Sequence, residues 1–312
     1  MNSTSINDSF VLIYESWFLP IDVITNVCIL IGIILALVFF IFILHDKTCH
    51  TVPMLLVGNS CFIGIIFGIV MYAMNLFKLL NDVQQNVYRD FFCNCRGYLG
   101  YATCSILNFS YFLQAMYRYV RVVYPNRLFY QTAKFQLLLI VLTWLFGIFY
   151  PFHFLFTGEI LYDIRNQICQ LPLHLSFSII YMANFAYMTP VALTFIVYMK
   201  LVYYVKKMGK RITPANVLSR AKKDLQMVQR TVVLVSILII YCLPYAVFIF
   251  LSFIITIPTY HFRISYVFID ASYLFVMIIL FQFTDPLKAS IKRKFLRPQN
   301  DIAPTVIATI IS

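Results

Sequence analysis

Seven long apolar stretches constrain this chain more strongly than any other feature of its sequence. A helix needs about 20 mostly apolar residues to cross the hydrocarbon core of a bilayer. Only 12% of the 312 residues are charged, against about 25% in an average soluble domain, which is too few to cover a water-exposed surface of this size. The sequence therefore predicts an all-α membrane protein. Its seven spans lie near 21–45, 53–77, 94–122, 135–157, 175–204, 226–257 and 264–287.

The distribution of Lys and Arg predicts which side of the membrane each connection faces. If the N-terminus lies outside, most of the 24 basic residues fall on the inner loops and the tail. The outer side keeps Lys78, Arg89, Arg96, Arg165 and Arg263. This asymmetry is the positive-inside pattern. It accounts for the net charge of +12 without nucleic acid, for which the chain has no motif.

Two glycosylation sequons near the N-terminus agree with that orientation. They are Asn2-Ser3-Thr4 and Asn7-Asp8-Ser9, and we expect both asparagines to be glycosylated on an extracellular segment of a plasma-membrane protein. The alternative is chance, because the tripeptide is common and Asn108-Phe109-Ser110 repeats it inside a predicted span.

Individual motif residues follow one another along the predicted spans. The third span ends in Tyr117-Arg118-Tyr119, with Pro125 seven residues after the arginine. The others, in chain order, are Cys93, Trp144, Pro190, Tyr198, Tyr241-Cys242-Leu243-Pro244 and Thr284-Asp285-Pro286. A lone proline in a membrane helix usually indicates only a kink. All of these together resemble, across residues 20–297, a divergent member of the rhodopsin-like (class A) G-protein-coupled receptor family.

The resemblance implies how the chain is organised. An extracellular N-terminus (1–20) would precede the seven-transmembrane receptor domain (21–287). A short amphipathic eighth helix (288–297) would lie on the inner leaflet in contact with membrane lipid, followed by a short cytoplasmic tail (298–312).

The resemblance also implies a disulfide bond. Cys93 stands where the family places the cysteine that ties the third span to the second outer loop, and Cys169 would be its partner. Cys95 is a rival for that role, and a pair of free thiols is the alternative. A bridge closing about 77 residues would contribute roughly 4 kcal/mol on the chain-entropy model and would hold the loop over the mouth of the bundle.

An activation switch is the functional core of the resemblance. Pro244 removes a backbone hydrogen bond and bends the sixth helix, so its inner end can swing outward. We expect an Arg118–Asp224 ion pair to hold that end in the resting state and Tyr198 to bond Arg118 in the open state. Tyr117 replaces the acid that precedes the arginine in the family. The alternative is that Asp224 is a solvated charge beside two lysines.

Several positions depart from the family pattern. Gly64 falls near the position of the family's buried aspartate, which puts its sodium pocket in doubt. Asp285, before Pro286, replaces the usual asparagine, and it either binds a cation or titrates or is a hydrogen-bonded structural acid. Cys242 and Ala289 replace a tryptophan and a tyrosine of the activation relay, so weak or biased coupling is one expectation.

The ligand is less constrained than the switch. The residues expected to line the outer half of the bundle are Tyr101, Cys104, Tyr245, Phe248, Asp270 and Tyr273. An aromatic cavity favours a peptide, such as a neuropeptide, whose basic or amidated end docks at Asp270; the alternative is that these groups only pack helices. The seventh span has no lysine before Lys288, which argues against retinal.

The expected partners are a heterotrimeric G protein, an extracellular ligand and, to a modest extent, arrestin. The rival interpretations are a non-signalling decoy of the same fold or, less favoured, a transporter, which would want paired broken helices. The five histidines show no H-E-x-x-H spacing. We therefore expect no enzymatic activity, no metal site and no cofactor.

Overall fold

The main architecture is a bundle of long helices with one small hairpin at its outer end. A computed structural model describes residues 15–85, 91–174, 176–209, 236–237, 240, 243–256 and 258–283. The helices are α1 (Phe18–His45), α2 (Val52–Gln84), α3 (Cys93–Val123), α4 (Ala133–Phe149), α5 (His153–Thr157), α6 (Phe177–Ala183), α7 (Thr189–Gly209), α8 (243–251) and α9 (His261–Phe283). Two 3₁₀ turns cover Lys47–Cys49 and Leu128–Gln131, and a π-helical turn, Asn184–Met188, joins α6 to α7. The strands are β1 (Leu161–Asp163) and β2 (Ile168–Gln170).

Helix α1 shows why the bundle belongs in a membrane. Its inward face is buried, with Ile29 and Ala36 at 0% exposure. Its outward face is just as apolar, because Ile24 and Ile34 are more than half exposed. A helix that is apolar on all sides is stable at a surface only if that surface meets lipid.

Five stretches of the described residues are long and apolar enough to cross a bilayer. They are Phe18–His45, Val52–Gln84, Ala133–Thr157, Phe177–Met208 and His261–Leu280. Helix α3 falls short of that apolarity because polar residues such as Asn108 and Gln114 lie on it, and both are buried. The sixth predicted span is described only in part. The order and positions of these helices follow the seven predicted spans.

Helix α3 lies at the centre of the bundle, against α2, α4, α7 and the hairpin. Polar groups join it to α2, since Gln114 Nε2 donates to Ser60 Oγ at 2.7 Å and Ser60 Oγ lies 2.8 Å from Ser110 Oγ. Trp144 of α4 donates to Asn59 Oδ1 of α2 at 3.0 Å. Interhelical bonds of this kind hold helices together where lipid supplies no hydrophobic drive.

Two helix boundaries differ from the predicted spans in a way that matters for the site. Helix α2 continues to Gln84 and ends only where Gln85 adopts a left-handed conformation (φ 49°). Helix α9 begins at His261, three residues before the predicted start. Lys78 and Arg263, expected on outer connections, are therefore on helices and buried, each with 2% exposure.

Candidate functional site

A cavity of about 160 Å³ lies in the outer half of the bundle, between α2, α3, the α6–α7 span, α8 and α9. None of the described residues that line it is charged. Its polar groups are chiefly tyrosine hydroxyls, which come from Tyr101, Tyr111, Tyr187, Tyr245, Tyr266 and Tyr273. The rest of the wall is mostly apolar. Such a wall suits a ligand that is largely apolar and uncharged.

The structure brings four of the six expected ligand residues together on this wall. They are Tyr101, Cys104, Tyr245 and Tyr273. Phe248 packs beside the apolar core and Asp270 lies in α9, and neither contributes to the cavity wall. The cavity is therefore lined by aromatic residues, as expected, but it lacks the negative charge that Asp270 was expected to provide.

Asp270 is bonded within the protein instead. Its Oδ2 accepts a hydrogen bond of 2.8 Å from Asn75 Nδ2, and Asn75 Oδ1 accepts one of 3.2 Å from Lys78 Nζ. The Asp270 side chain is 1% exposed. Its Oδ1 has no hydrogen-bond partner among the described residues, but a basic ligand group would have to leave the cavity wall to reach it, because Asp270 does not line the cavity.

The outer hairpin, which we define as β1, its turn and β2 (161–170), covers the cavity from the outside. Its strands pair antiparallel, with Tyr162 opposite Cys169. Asp163 shapes the turn, because its Oδ1 accepts from the backbone N–H groups of Arg165 and Asn166 at 2.9 and 3.2 Å, a typical Asx turn. Burial raises the pKa of Tyr162 to about 12, so its hydroxyl stays neutral.

A disulfide joins the outer hairpin to α3. Cys93 and Cys169 are bonded, with S–S 2.01 Å, as the resemblance implied. The rival Cys95 is a free, exposed thiol. Strand β2 lies so close to α3 here that a Cβ at Gly97 would be 2.6 Å from the Cys169 carbonyl oxygen.

Gln170 closes the outer end of the cavity. Its Oε1 accepts a hydrogen bond from the Tyr101 hydroxyl and its Nε2 donates to the Tyr266 hydroxyl, so one side chain links α3 to α9. The Tyr101 hydroxyl also accepts from the backbone N–H of Leu171 at 2.9 Å. Gln170 is 3% exposed and Leu171 1%, and water has little access past them.

Four buried charges lie beside this closure, and we call them the charge cluster: Asp22, Lys78, Asp82 and Arg263. Arg263 donates to both carboxylate oxygens of Asp82, at 2.6 and 2.9 Å, and to Asp22 Oδ2 at 3.1 Å. Lys78 Nζ lies 2.8 Å from Asp22 Oδ1. The guanidinium also stacks 4.0 Å over the ring of Phe18. Two acids and two bases thus bind α1, α2 and α9 together without net charge.

The outer hairpin is attached to the charge cluster as well as to α3. Gln167 Nε2 donates to Asp82 Oδ1 at 2.8 Å. Asn166 Oδ1 accepts from the backbone N–H of Arg263 at 3.2 Å, and its Nδ2 donates to the Thr259 carbonyl at 3.1 Å. The hairpin is therefore fixed at α2, α3 and α9 together.

Gly64 lies against Tyr273 of α9. The hydroxyl of Tyr273 donates to the Gly64 carbonyl at 2.9 Å, and a Cβ at Gly64 would lie 2.6 Å from Met277 Cε. Neutral side chains of α9 therefore fill the space beside the position that resembles the family's buried aspartate.

The inner half contains the described part of the predicted switch. Arg118 is half-buried at the inner end of α3. Tyr198 of α7 is 1% exposed and packs in an apolar cluster with Ala115 and Val205. Pro244 lies in the described part of the sixth span and is half-buried. The remaining predicted residues and segments are outside the described residues: Asn2, Asn7, Asp224, Asp285, Pro286, 288–297 and 298–312.

Comparison with known proteins decides the family. The family model described as the seven-transmembrane receptor of the rhodopsin family matches residues 36–286, which is most of the chain. The chain belongs to that family. The receptor is thus a class A G-protein-coupled signalling receptor and a multi-pass membrane protein, and it is not an enzyme.

A solved structure agrees with the family match. The crystal structure of squid rhodopsin superposes with a TM-score of 0.76, at 15% sequence identity, over 92% of this receptor and 87% of that chain. At that identity the likeness shows the fold alone, and it confirms the predicted seven-helix bundle. No curated protein matches the receptor.

The charge cluster was missed by the sequence interpretation. The sequence pattern places Lys78 and Arg263 on outer connections and assigns no role to Asp22 or Asp82. One signal was available, because Asp22 lies within the first predicted apolar span. A buried acid in a membrane helix needs a basic partner.

Proposed function

We propose that the receptor lies in the plasma membrane with its N-terminus outside, binds a ligand in the cavity and activates a heterotrimeric G protein. The observation that supports this most directly is that α3 and α8 each line the cavity and also carry a switch residue. Helix α3 runs from Tyr111, on the cavity wall, to Arg118. That is seven residues, or roughly 10 Å along the helix axis.

Helix α8 links the ligand to the kink. Tyr245 and Ala246 line the cavity and directly follow Pro244. A proline leaves the helix without one backbone hydrogen bond and allows it to bend. A ligand that shifts Tyr245 would change the bend and swing the inner end of the sixth helix outward. The groove opened in this way would accept a helix of the G protein.

The uncharged cavity wall favours an apolar ligand group over a basic one. Docking of a basic peptide end at Asp270 loses support, because that carboxylate is bonded to Asn75 and is absent from the wall. A peptide, including a neuropeptide, fits only if it inserts an aliphatic or aromatic end. The hydroxyls of Tyr101 and Tyr245 would border that group.

The proposal is tested by ligand-independent guanine-nucleotide exchange in membranes that contain equal amounts of receptor. We expect Asp224→Asn to raise exchange on one G-protein class, because Arg118 loses its expected ionic partner. Arg118→Ala in the same background should return exchange to the level without receptor, because the arginine is expected to contact the G protein in the open state.

Asp46→Asn is the matched control, since Asp46 is another acid at the inner side, next to the end of α1, and should leave exchange unchanged. If no G-protein class responds to the receptor or to Asp224→Asn at normal surface amounts, the non-signalling interpretation replaces this one.

A further inference from the structure

The cavity wall is closed on most sides and reaches the outside of the bundle on one. Met188 and Phe250 have the largest exposed fractions of the described lining residues, 44% and 54%. The lining residues from α2, such as Met71 at 3%, and from the outer hairpin, Gln170 at 3%, are buried. The opening therefore lies between the α6–α7 span and α8.

The depth of Met188 places this side of the opening in lipid. Met188 follows Phe177, the first residue of its span, by eleven residues, which is roughly 17 Å along the axis. The hydrocarbon core is about 30 Å thick, so Met188 lies near its middle. The π-helical turn ends at Met188, and Pro190 follows two residues later. Turns of this kind are frequently found at functional sites.

Entry from water is opposed by the fixed outer hairpin. Gln170 bridges Tyr101 and Tyr266 over the cavity, and the disulfide from Cys93 to Cys169 holds the strand that carries it. The charge cluster fixes the turn of the same hairpin through Asp82. A ligand arriving from outside would have to break several of these contacts at once.

The wall also indicates the chemistry of the ligand. It carries no charged side chain among the described residues, so a charged ligand would lose its hydration without compensation. One hydroxyl in it is unsatisfied: Tyr111 is 2% exposed and its oxygen has no hydrogen-bond partner among the described residues. A buried polar group of this kind costs free energy unless a ligand or a water bonds to it.

We propose that the cavity is filled from the bilayer, through a portal lined by Met188 and Phe250, and that its ligand is an uncharged lipid-like molecule with one hydrogen-bonding group that meets Tyr111. The inference deepens the proposed function, on which it rests for the consequence of binding. The proposed route of entry rests only on the geometry of the cavity and does not depend on G-protein activation.

Cys104 is a native reporter for this route, since it lines the cavity as a free thiol. The receptor is reconstituted into phospholipid nanodiscs and treated with an apolar maleimide that partitions into lipid or with a trimethylammonium methanethiosulfonate that stays in water. Peptide mass spectrometry measures each cysteine. We expect the apolar reagent to label Cys104 and the charged reagent to label the exposed Cys95, with Cys104 at least roughly tenfold slower towards the charged reagent.

A portal variant tests the side of entry. Met188→Trp should slow apolar labelling of Cys104 by roughly fivefold or more, because the larger ring narrows the portal. Met199→Trp is the matched control, as Met199 is 55% exposed on the same span, lies eleven residues further along and is absent from the cavity wall. It should leave the labelling rate unchanged.

A closure variant tests the opposite side. Gln170→Ala removes both tyrosine contacts and should admit the charged reagent to Cys104, while the apolar rate stays as it was. Retention of the Cys93–Cys169 bond confirms folding of each variant.

Labelling of Cys104 in the unmodified receptor by the charged reagent at the Cys95 rate would overturn the proposal and indicate a mouth open to water, as a peptide would need. Equal rates in the two tryptophan variants would also overturn it. If labelling follows the portal but no G protein is activated, the portal stands and the proposed function fails.

Discussion

The outer half of the bundle is held together differently on its two sides. On the side of α1, α2 and α9, buried ions and the outer hairpin connect every element, with Arg263 bonded to both Asp22 and Asp82. On the side of α7 and α8, the cavity-lining residues Met188 and Phe250 are exposed at the surface of the bundle. One side is bound by buried ions. The other is bound mainly by apolar contacts, although Asn108 Nδ2 of α3 donates to the Ala186 carbonyl at 2.9 Å and Ser105 Oγ donates to the Phe185 carbonyl at 3.4 Å.

The difference assigns separate roles to the two sides. A buried ion network has few alternative geometries, because moving one helix would leave a charge without its partner in a medium of low dielectric constant. Apolar side chains in a membrane gain little by touching one another rather than lipid. We therefore expect the side of α1, α2 and α9 to serve as a fixed frame and any movement of the sixth helix to take place on the other side. This agrees with the proposed swing at Pro244.

The largest effect is expected from breaking the frame. Arg263→Leu leaves Asp82 buried without its cation, and loss of one partner of a buried ion pair costs about 3–5 kcal/mol. The midpoint of thermal unfolding of the purified receptor should fall on the order of 10 °C. Arg165→Leu is the control, since Arg165 is an exposed arginine of the outer hairpin. Equal midpoints for the two variants would mean that the charge cluster adds no stability.

A second substitution sharpens the comparison. Adding Asp82→Leu to Arg263→Leu removes the stranded charge and leaves the Lys78–Asp22 pair neutral. Replacing a buried ion pair by apolar groups is often close to neutral, so we expect recovery of about 2–4 kcal/mol of the loss. The measurement is the same unfolding midpoint. A double variant no more stable than Arg263→Leu alone would show that size or packing, rather than charge, governs this site.

The helical spans could be predicted from the sequence, because span length and apolarity depend on local composition. The seven stretches, the sidedness of Lys and Arg, and the motif residues on successive spans led to the family that the comparison confirmed. The pairing of Cys93 with Cys169 followed from the resemblance and is present in the structure. These features need no knowledge of how the helices pack.

The site was harder to predict, since it depends on which helix faces meet. Asp270 and Tyr273 both lie on α9, yet only Tyr273 reaches the cavity. Gln170 closes the cavity although nothing in its local sequence distinguishes it from other loop residues. Met188, at the proposed portal, ends a π-helical turn, which shifts the register of later side chains on the span and which apolar periodicity does not reveal.

A smaller effect is expected where the outer hairpin meets α3. Gly97→Ala would place a Cβ 2.6 Å from the Cys169 carbonyl oxygen, so the hairpin must shift, at a cost of about 1–3 kcal/mol. Gly100→Ala is the matched control on the same helix, because its nearest foreign atom would be Met74 Sδ at 3.8 Å. That variant should gain up to about 1 kcal/mol from helix propensity. Unfolding midpoints that shift in the same direction would contradict this close packing.

The smallest effect is expected on the open side. Met188 is 44% exposed, and lipid replaces its lost contacts, so Met188→Ala should change the free energy of unfolding by no more than about 0.5 kcal/mol. Met182→Ala is its counterpart, since Met182 lines the same cavity from the same span but is 3% exposed. Truncating a buried methionine costs about 2–5 kcal/mol. Because the two substitutions delete identical atoms, a difference in unfolding midpoint measures the closure of the wall at each position, and equal midpoints would argue that the portal is packed shut.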